Sequence, residues 1–543
     1  MDAPEPAARI AGRLAAAGTT VGFGVPGGGP NLDVIGAFEA VGIRFVLAHG
    51  ETAAAIMAAT VGHLSRTPVP VVVTRGPGAT SVVNGAAQAT LDRQPLVVIT
   101  DTVPSATADR VPHQRLDQGT LFGPITKGGA RVGPDATDAD LDRLIGLATA
   151  EPPGAVHVDY DGTYVGPLGG DTPTAAEVRR KSGASEPVAA AVVDTTAAEV
   201  PARIAGMMTD ADRPVVVIGR AAAAADCSEE VLAAVERLGA PTLSTYQGVG
   251  VVPGDHPLNA GLFTNGDSER AILAEADLIV TVGLDMVEPI PAAWDHPAPV
   301  LALSPIPTVD PYLPIDLEIT GPLTHTLTHV PDGDHRWSPQ AATDHRKLVL
   351  DRLRDHPSGF APTQLVETLV AQLPHNAITT VDAGAHFLAV MPFHPARRPG
   401  DLLISNGLAT MGYAVPAAIG AALARPNRPV YAVTGDGGLG MVLAELETIA
   451  RLQLPITIVV LNDSALSLIE IKQRDNHGGT TAVRYNPTDF AAAAGAMGVP
   501  GRTVDNADAF AAALAEPFDG PRLIDARIDP AQYTNLIAVT RGG

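Results

Sequence analysis

Short β-branched runs recur along this chain, each closed by a turn and followed by an Ala- and Leu-rich stretch of helical period. They fall at 70–74 (PVVVT), 96–100 (LVVIT), 215–219 (VVVIG), 278–282 (LIVTV), 430–434 (VYAVT) and 456–461 (ITIVVL). Strands that are apolar nearly throughout need cover on both faces, the condition of a parallel sheet lying between helices. The fold class is therefore α/β. Two stretches break the rhythm: 166–188, rich in Gly, Pro, Thr and Ser, and 331–345, which contains PDGDHRWSPQ. Such turn-forming, polar composition suits linkers. Cutting there predicts three doubly wound parallel-sheet domains, at 1–170, 189–330 and 346–543, as expected for 543 residues at about 100–200 per domain.

A net charge of -23, from 36 basic and 59 acidic residues, argues against a nucleic-acid backbone or an anionic membrane as partner. Any phosphate has to be met locally. Cys227 is the only cysteine, which excludes disulfides within the chain and cysteine metal clusters and suits a reducing compartment. The N-terminus, MDAPEPAARIAGRL, lacks the basic patch and apolar stretch of a secretory signal, and no run of about 18 apolar residues follows. A cytoplasmic location is expected.

The chemistry concentrates at Gly435-Asp436-Gly437-Gly438, directly after the run at 430–434. The spacing of Leu439, Val442, Leu443, Leu446 and Ile449 predicts one helix opening there. Free N–H groups at a helix start favour phosphate, and glycines let it approach closely. Asp436 would repel a bare phosphate, but not one held through a divalent cation. A second carboxylate is available: Asp463, in Asn462-Asp463-Ser464-Ala465, follows the run at 456–461, and neighbouring parallel strands end on one edge. Taken singly, Asp436 also reads as a helix cap and Asp463 as a turn residue. The pair at adjacent strand ends is what points to a metal–diphosphate site.

This GDG stretch, with an Asn-Asp pair after the next strand, resembles the signature of thiamine diphosphate enzymes. The resemblance implies Mg²⁺ held by Asp436, Asp463 and the backbone carbonyl of Ala465, with Gly435, Gly437 and Gly438 against the diphosphate. Asp463 stands where the family more often has Asn. Ala48-His49-Gly50-Glu51-Thr52 is similar to the turn whose Glu bonds N1′ of the aminopyrimidine, which makes Glu51 the acid that activates N4′ to take the C2 proton. Gly76-Pro77-Gly78-Ala79-Thr80 resembles the loop beside the pyrimidine, with Ser81 where Asn is common; Pro77 and Pro26 are carried over as cofactor contacts. Asn406 to Tyr413 is similar to the stretch whose Met wedges beneath the cofactor. That role falls to Met411, and pyrimidine-edge backbone contacts fall to Ala409 and Met411. His113-Gln114 resembles the substrate-side loop and Asp382-Ala383-Gly384-Ala385-His386 the diphosphate-side loop, nominating His113 and Gln114 for catalysis and Ala385 and His386 for cofactor binding.

The resemblance spans pyrimidine-binding, central and diphosphate-binding domains and is nearest to acetolactate synthase-like carboligases. It implies a 2-keto acid substrate such as pyruvate, reaction through a C2 carbanion or enamine, and a homodimer or homotetramer that sets the first domain of one chain against the third of its partner. It leaves room for FAD in the central domain, although nothing in 189–330 demonstrates it, and Rossmann-type dinucleotide binding is a poor rival because the Gly219-Arg220 turn carries no G-x-G-x-x-G pattern. Acetolactate synthases carry an Arg in a GxRFDDR stretch for a second keto acid. Pro289 stands there in this chain, and Asp285 and Glu288 are expected to repel a second anion. Carboligation and simple decarboxylation to an aldehyde both stay open. A non-catalytic relative is disfavoured, because Glu51, Asp436 and Asp463 are all present. The small residues of 405–424 suit close helix packing, at a subunit interface or in a core.

Overall fold

The computed structural model describes residues 5–166, 191–194, 199–224, 227–308, 313–333, 335–355 and 359–542. All but the first residue of the linker expected at 166–188 lies outside them. The second expected linker is partly helical: a helix begins at Ala341 and runs to Leu353, with Ala342 in the central domain's core and Leu353 in the third's.

Three parallel sheets organise the chain. The first contains β1 (Val21–Val25), β2 (Arg44–Leu47), β3 (Val69–Val73), β4 (Leu96–Asp101), β5 (Gly129–Val132) and β6 (Ala155–Tyr160), in the order β2-β1-β3-β4-β6-β5. The central one contains β7 (Ala191–Asp194), β8 (Pro214–Ile218), β9 (Thr242–Ser244), β10 (Asn259–Leu262), β11 (Leu278–Val282), β12 (Val300–Ser304) and β13 (Leu317–Thr320), in the order β10-β9-β8-β11-β12-β13-β7. The third contains β14 (Ile378–Val381), β15 (Leu402–Ile404), β16 (Val430–Gly435), β17 (Ile456–Asn462), β18 (Gly501–Val504) and β19 (Arg522–Arg527), in the order β15-β14-β16-β17-β19-β18. The first and third sheets therefore repeat one winding, second-first-third-fourth-sixth-fifth. In each, the strand order reverses between the first and third strands, where ligands of doubly wound folds bind. β3, β4, β8, β11 and β17 are buried along their full length, as their unbroken apolar sequences require.

The first and third domains share a core. Helix Glu51–Ser65 lies against helix Ala414–Ala424, and Ile56, Tyr413 and Ala417 close a small cluster between them. The approach is backbone-close: a Cβ on Gly420 would stand 2.6 Å from the carbonyl oxygen of Met57. The small residues noted at 405–424 thus serve a contact within the chain. No described helix is long and apolar enough to cross a membrane.

The helix expected to run from Asp436 through Ile449 is two helices, Asp436–Met441 and Glu445–Leu452. Gly437, Gly438 and Gly440 are weak helix formers, and Val442 leaves helical geometry at φ -127. The break re-aims the second helix, so that Leu446 and Ile449 enter the core while Glu445 faces the first domain.

Candidate active site

The third-sheet candidates gather at the C-terminal strand ends. Asp382 to His386 follow β14, Ala409 and Met411 follow β15, Gly435 to Gly438 follow β16, and Asp463 to Ala465 follow β17. Ala385, His386, Ala409, Met411, Gly435, Asp436, Gly437, Gly438, Asp463 and Ala465 all line one cleft of about 200 Å³. Asp436 is buried at its rim; its Oδ1 accepts from Gly437 N–H at 2.8 Å and its Oδ2 from Ala465 N–H at 3.1 Å. Burial, and then the neighbouring Asp463, push the Asp436 carboxyl up to about 7. Burial also raises Asp463, opposed by the hydroxyl of Ser467, which donates to its Oδ2. A buried carboxylate whose charge is disfavoured by a half-buried one beside it fits a bound cation. Among the described residues no group of three or more His, Cys, Asp or Glu side chains could hold a metal. A cation here would draw its remaining ligands from backbone carbonyl, phosphate oxygen and water.

His386 carries the clearest fit to an anion. It is buried in the cleft wall, burial lowers its pKa to about 4, and its Nε2 has no hydrogen-bond partner among the described residues. A buried polar atom of that kind awaits a ligand. The helix start is a weaker anion site, because the helix opening at Asp436 has six residues. The glycines there also answer to the protein itself: a Cβ on Gly438 would meet Asp382 Oδ2 at 2.8 Å.

Asp382 is the residue the sequence reading underused. Its carboxylate, fully buried, accepts from the N–H groups of Gly412 (2.8 Å), Ala414 (3.3 Å) and Ala383 (2.9 Å) and from Thr434 Oγ1 (3.0 Å). It ties the Met411 loop to the end of β16. Its place as the first residue after β14, in the loop already singled out, was the available signal. Tyr533 also lines the cleft, its hydroxyl raised by burial and by Asp463 and Asp436. Nothing in the local sequence pointed to it.

A second cluster forms at the C-terminal edge of the first sheet. Pro26 follows β1, Glu51 opens the helix after β2, Gly76-Pro77 follow β3, and His113-Gln114 lie in the loop after β4. A Cβ on Gly78 would lie 3.6 Å from Glu51 Oε1, and one on Gly76 2.9 Å from the Cβ of Gln114. Gln114 itself adopts φ 56 and Ala409 φ 52, left-handed values that mark shaped loops. His113, Pro26 and Pro77 are exposed. Within one chain this cluster does not join the first: every described residue lining the cleft lies between Ala383 and Tyr533.

Around Pro289 the acidic side chains have partners within the chain. Pro289 is buried, Asp285 is paired with Arg93 at 2.8 Å, and Glu288 is buried. Glu288 accepts from the N–H groups of Arg220 (3.0 Å) and Asp285 (2.9 Å) and from Thr245. These carboxylates are engaged inside the chain. The same contacts bear on a flavin. The Arg220 amide, the donor a phosphate would need at the β8 turn, already holds Glu288, and a Cβ on Gly219 would stand 2.3 Å from Leu284 Cα. The residues do not fit a flavin phosphate at that turn.

A cleft floored by glycines and rimmed by paired carboxylates, at the switch point of a parallel sheet, defines a class: α/β enzymes that hold a diphosphate-bearing cofactor. Comparison with known proteins narrows it. The models of the N-terminal, central and C-terminal domains of thiamine pyrophosphate enzymes match residues 5–121, 202–330 and 382–526. The chain is 30% identical to the catabolic acetolactate synthase of Raoultella terrigena over 96% of this chain and 94% of that protein. It is 28% identical to the acetolactate synthase of Bacillus subtilis over 96% of this chain and 92% of that one. With the protein of Pseudomonas aeruginosa named "Probable 2-ketoarginine decarboxylase AruI" it shares 30% identity over 84% of this chain and 81% of the other. The chain belongs to the thiamine pyrophosphate enzyme family and is an acetolactate synthase-like, thiamine diphosphate-dependent enzyme.

Proposed function

We propose that this enzyme is a carboligase that decarboxylates a 2-keto acid such as pyruvate and joins the acyl unit to a carbonyl acceptor, with Mg²⁺ as the second cofactor. The observation that carries the reading is the cleft in which Asp436, Asp463, His386 and Met411 converge. Asp436, Asp463 and the carbonyl of Ala465 would hold the cation, and His386, Ala385 and Gly435 to Gly438 the diphosphate. Bound thiamine diphosphate supplies an acidic carbon and an electron sink for decarboxylation. Glu51 carries the proton exchanged with the aminopyrimidine ring, as a carboxylic acid must to act as a general acid. Met411 fills the space beneath the ring, Ala409 presents backbone to its edge, and Pro26 and Pro77 wall it. His113 and Gln114 face the substrate, where a neutral amide can hold an oxygen without changing the charge.

Two half-sites on one chain imply a homodimer or homotetramer in which each cleft is completed by a partner's first domain. Apolar side chains exposed around both halves support this: Met441 (60%), Ile469 (41%) and Tyr485 (44%) beside Asp436 and Asp463, and Leu116 (46%) beside Gln114. The same reading puts the enzyme in the cytoplasm, in keeping with a single, buried cysteine. Decarboxylation to a free aldehyde is the second reading, favoured by the missing Arg at Pro289. Product analysis separates the two. Pyruvate alone, and pyruvate with added aldehydes or a second keto acid, should yield hydroxyketone or acetohydroxy acid in excess of acetaldehyde; acetaldehyde as sole product would make it a decarboxylase.

A further inference from the structure

The turn that carries Glu51 is held from outside its own domain. Helix Glu51–Ser65 begins at Gly50, and no side-chain cap accompanies that start. The turn leading into it is held by Glu445. The Glu445 carboxylate is 2% exposed, and its Oε1 accepts from the N–H groups of both His49 and Gly50, each at 3.0 Å. Its Oε2 accepts from Thr448 Oγ1 at 2.8 Å, which fixes the carboxylate's rotation. Two more residues of the same helix grip the same turn: Glu447 meets His49 Nε2 at 2.7 Å, and Arg451 donates to the carbonyl of Leu47 at 2.7 Å. Burying a carboxylate is costly unless every lone pair is used. Here the two amides and the hydroxyl it engages are those that set where residue 51 leaves the strand.

Glu445 lies nine positions beyond Asp436, on the segment that also builds the diphosphate end of the cleft. We propose that Glu445 is a positioning residue for Glu51, and that through it each segment 435–452 serves two sites. Its first residues build the cleft of its own chain, and its Glu445 sets the acid that its chain delivers to the partner's cleft. The second half of this proposal rests on the shared-site reading above.

Amide hydrogen exchange on the cofactor-free protein reads the positioning without activity. Glu445→Ala should raise exchange at His49 and Gly50 by at least tenfold, leaving the β16 amides unchanged. In the loaded protein it should slow C2 deuterium exchange by at least tenfold with cofactor affinity within about threefold. Glu445→Gln, which keeps an oxygen acceptor for both amides, should restore both readouts. If Glu445→Ala fails to fold, Glu445→Asp, too short to reach both amides, replaces it. Unchanged exchange at His49 and Gly50, or a Gln variant as impaired as Ala, would overturn the positioning role.

Hybrid dimers read the direction. One chain carries Asp436→Ala and the other Glu51→Gln, leaving one complete site, with Glu51 from the first and Asp436 from the second. Adding Glu445→Ala to the chain that delivers Glu51 should cost at least tenfold more turnover than adding it to the other. Equal losses would overturn the cross-site role. Hybrids shown to form but inactive before Glu445 is touched would instead sink the shared-site reading, and the exchange measurements would still decide the positioning role.

Discussion

At the scale of single residues, the site is a set of carboxylates held where water cannot reach them well. Asp436 and Asp382 are pushed up to about 7 and about 6, in both cases chiefly by burial. A carboxyl whose folded pKa lies above its unfolded value binds more protons when folded, so its contribution to stability falls as pH rises through that interval. For Asp436 the interval runs from about 4 to about 7, and above it the cofactor-free protein carries the full penalty. Asp436→Asn should therefore stabilise the cofactor-free protein by about 1–3 kcal/mol at pH 8 and by nothing measurable near pH 4. The same variant should lose cation-dependent cofactor binding. Thermal melts across this range, with calorimetry of thiamine diphosphate and Mg²⁺, check both; a variant no more stable at pH 8 than wild type would show that Asp436 carries no such penalty.

Among the elements, helix Ala414–Ala424 decides how the first and third domains meet. It is almost wholly buried and made of residues small enough to let two backbones touch. Gly420→Ala should destabilise by about 1–3 kcal/mol, because the atom in the way is the fixed carbonyl oxygen of Met57 and overpacking outweighs the gain in helix propensity. Gly12, in helix Glu5–Ala16, has no atom of the described residues within 4 Å of its missing Cβ. Gly12→Ala should stabilise by about 0.5–1 kcal/mol. Denaturant melts of the two variants should move in opposite directions. Matching shifts would mean that helix propensity alone governs both positions.

For the whole molecule, the repeated winding of the first and third sheets sets two C-terminal strand edges, one bearing Glu51 and the other Asp436, to meet a cofactor from opposite ends. Since the described lining of the cleft comes from the third domain alone, completion by a second chain is the expectation. Mixing Glu51→Gln chains with Asp436→Ala chains, each inactive alone, should restore roughly a quarter of wild-type turnover at full exchange, with half the dimers hybrid and one good site in each. Proven exchange with no recovery would place each site within a single chain.

Sequence alone determined the fold class and most of the candidate residues that line the third-domain cleft. Unbroken apolar runs such as 456–461, short and β-branched, suit interior strands, and a functional residue just past such a run lies at a sheet edge by geometry, which is why Asp436 and Asp463 were legible together. Family resemblance supplied Glu51, Met411 and His386, whose local patterns have several meanings. What depended on residues far apart in the chain stayed hidden. Asp382 organises amides some 30 positions away, Tyr533 reaches the cleft from near the C-terminus, and Glu445 grips a turn almost 400 positions before it. The partners of Asp285 and Glu288 stayed hidden for the same reason: Arg93 and the Arg220 amide lie far from them in sequence. Strand periodicity is a local property of the chain, whereas the partner of a buried charge is chosen only when the chain has closed on itself.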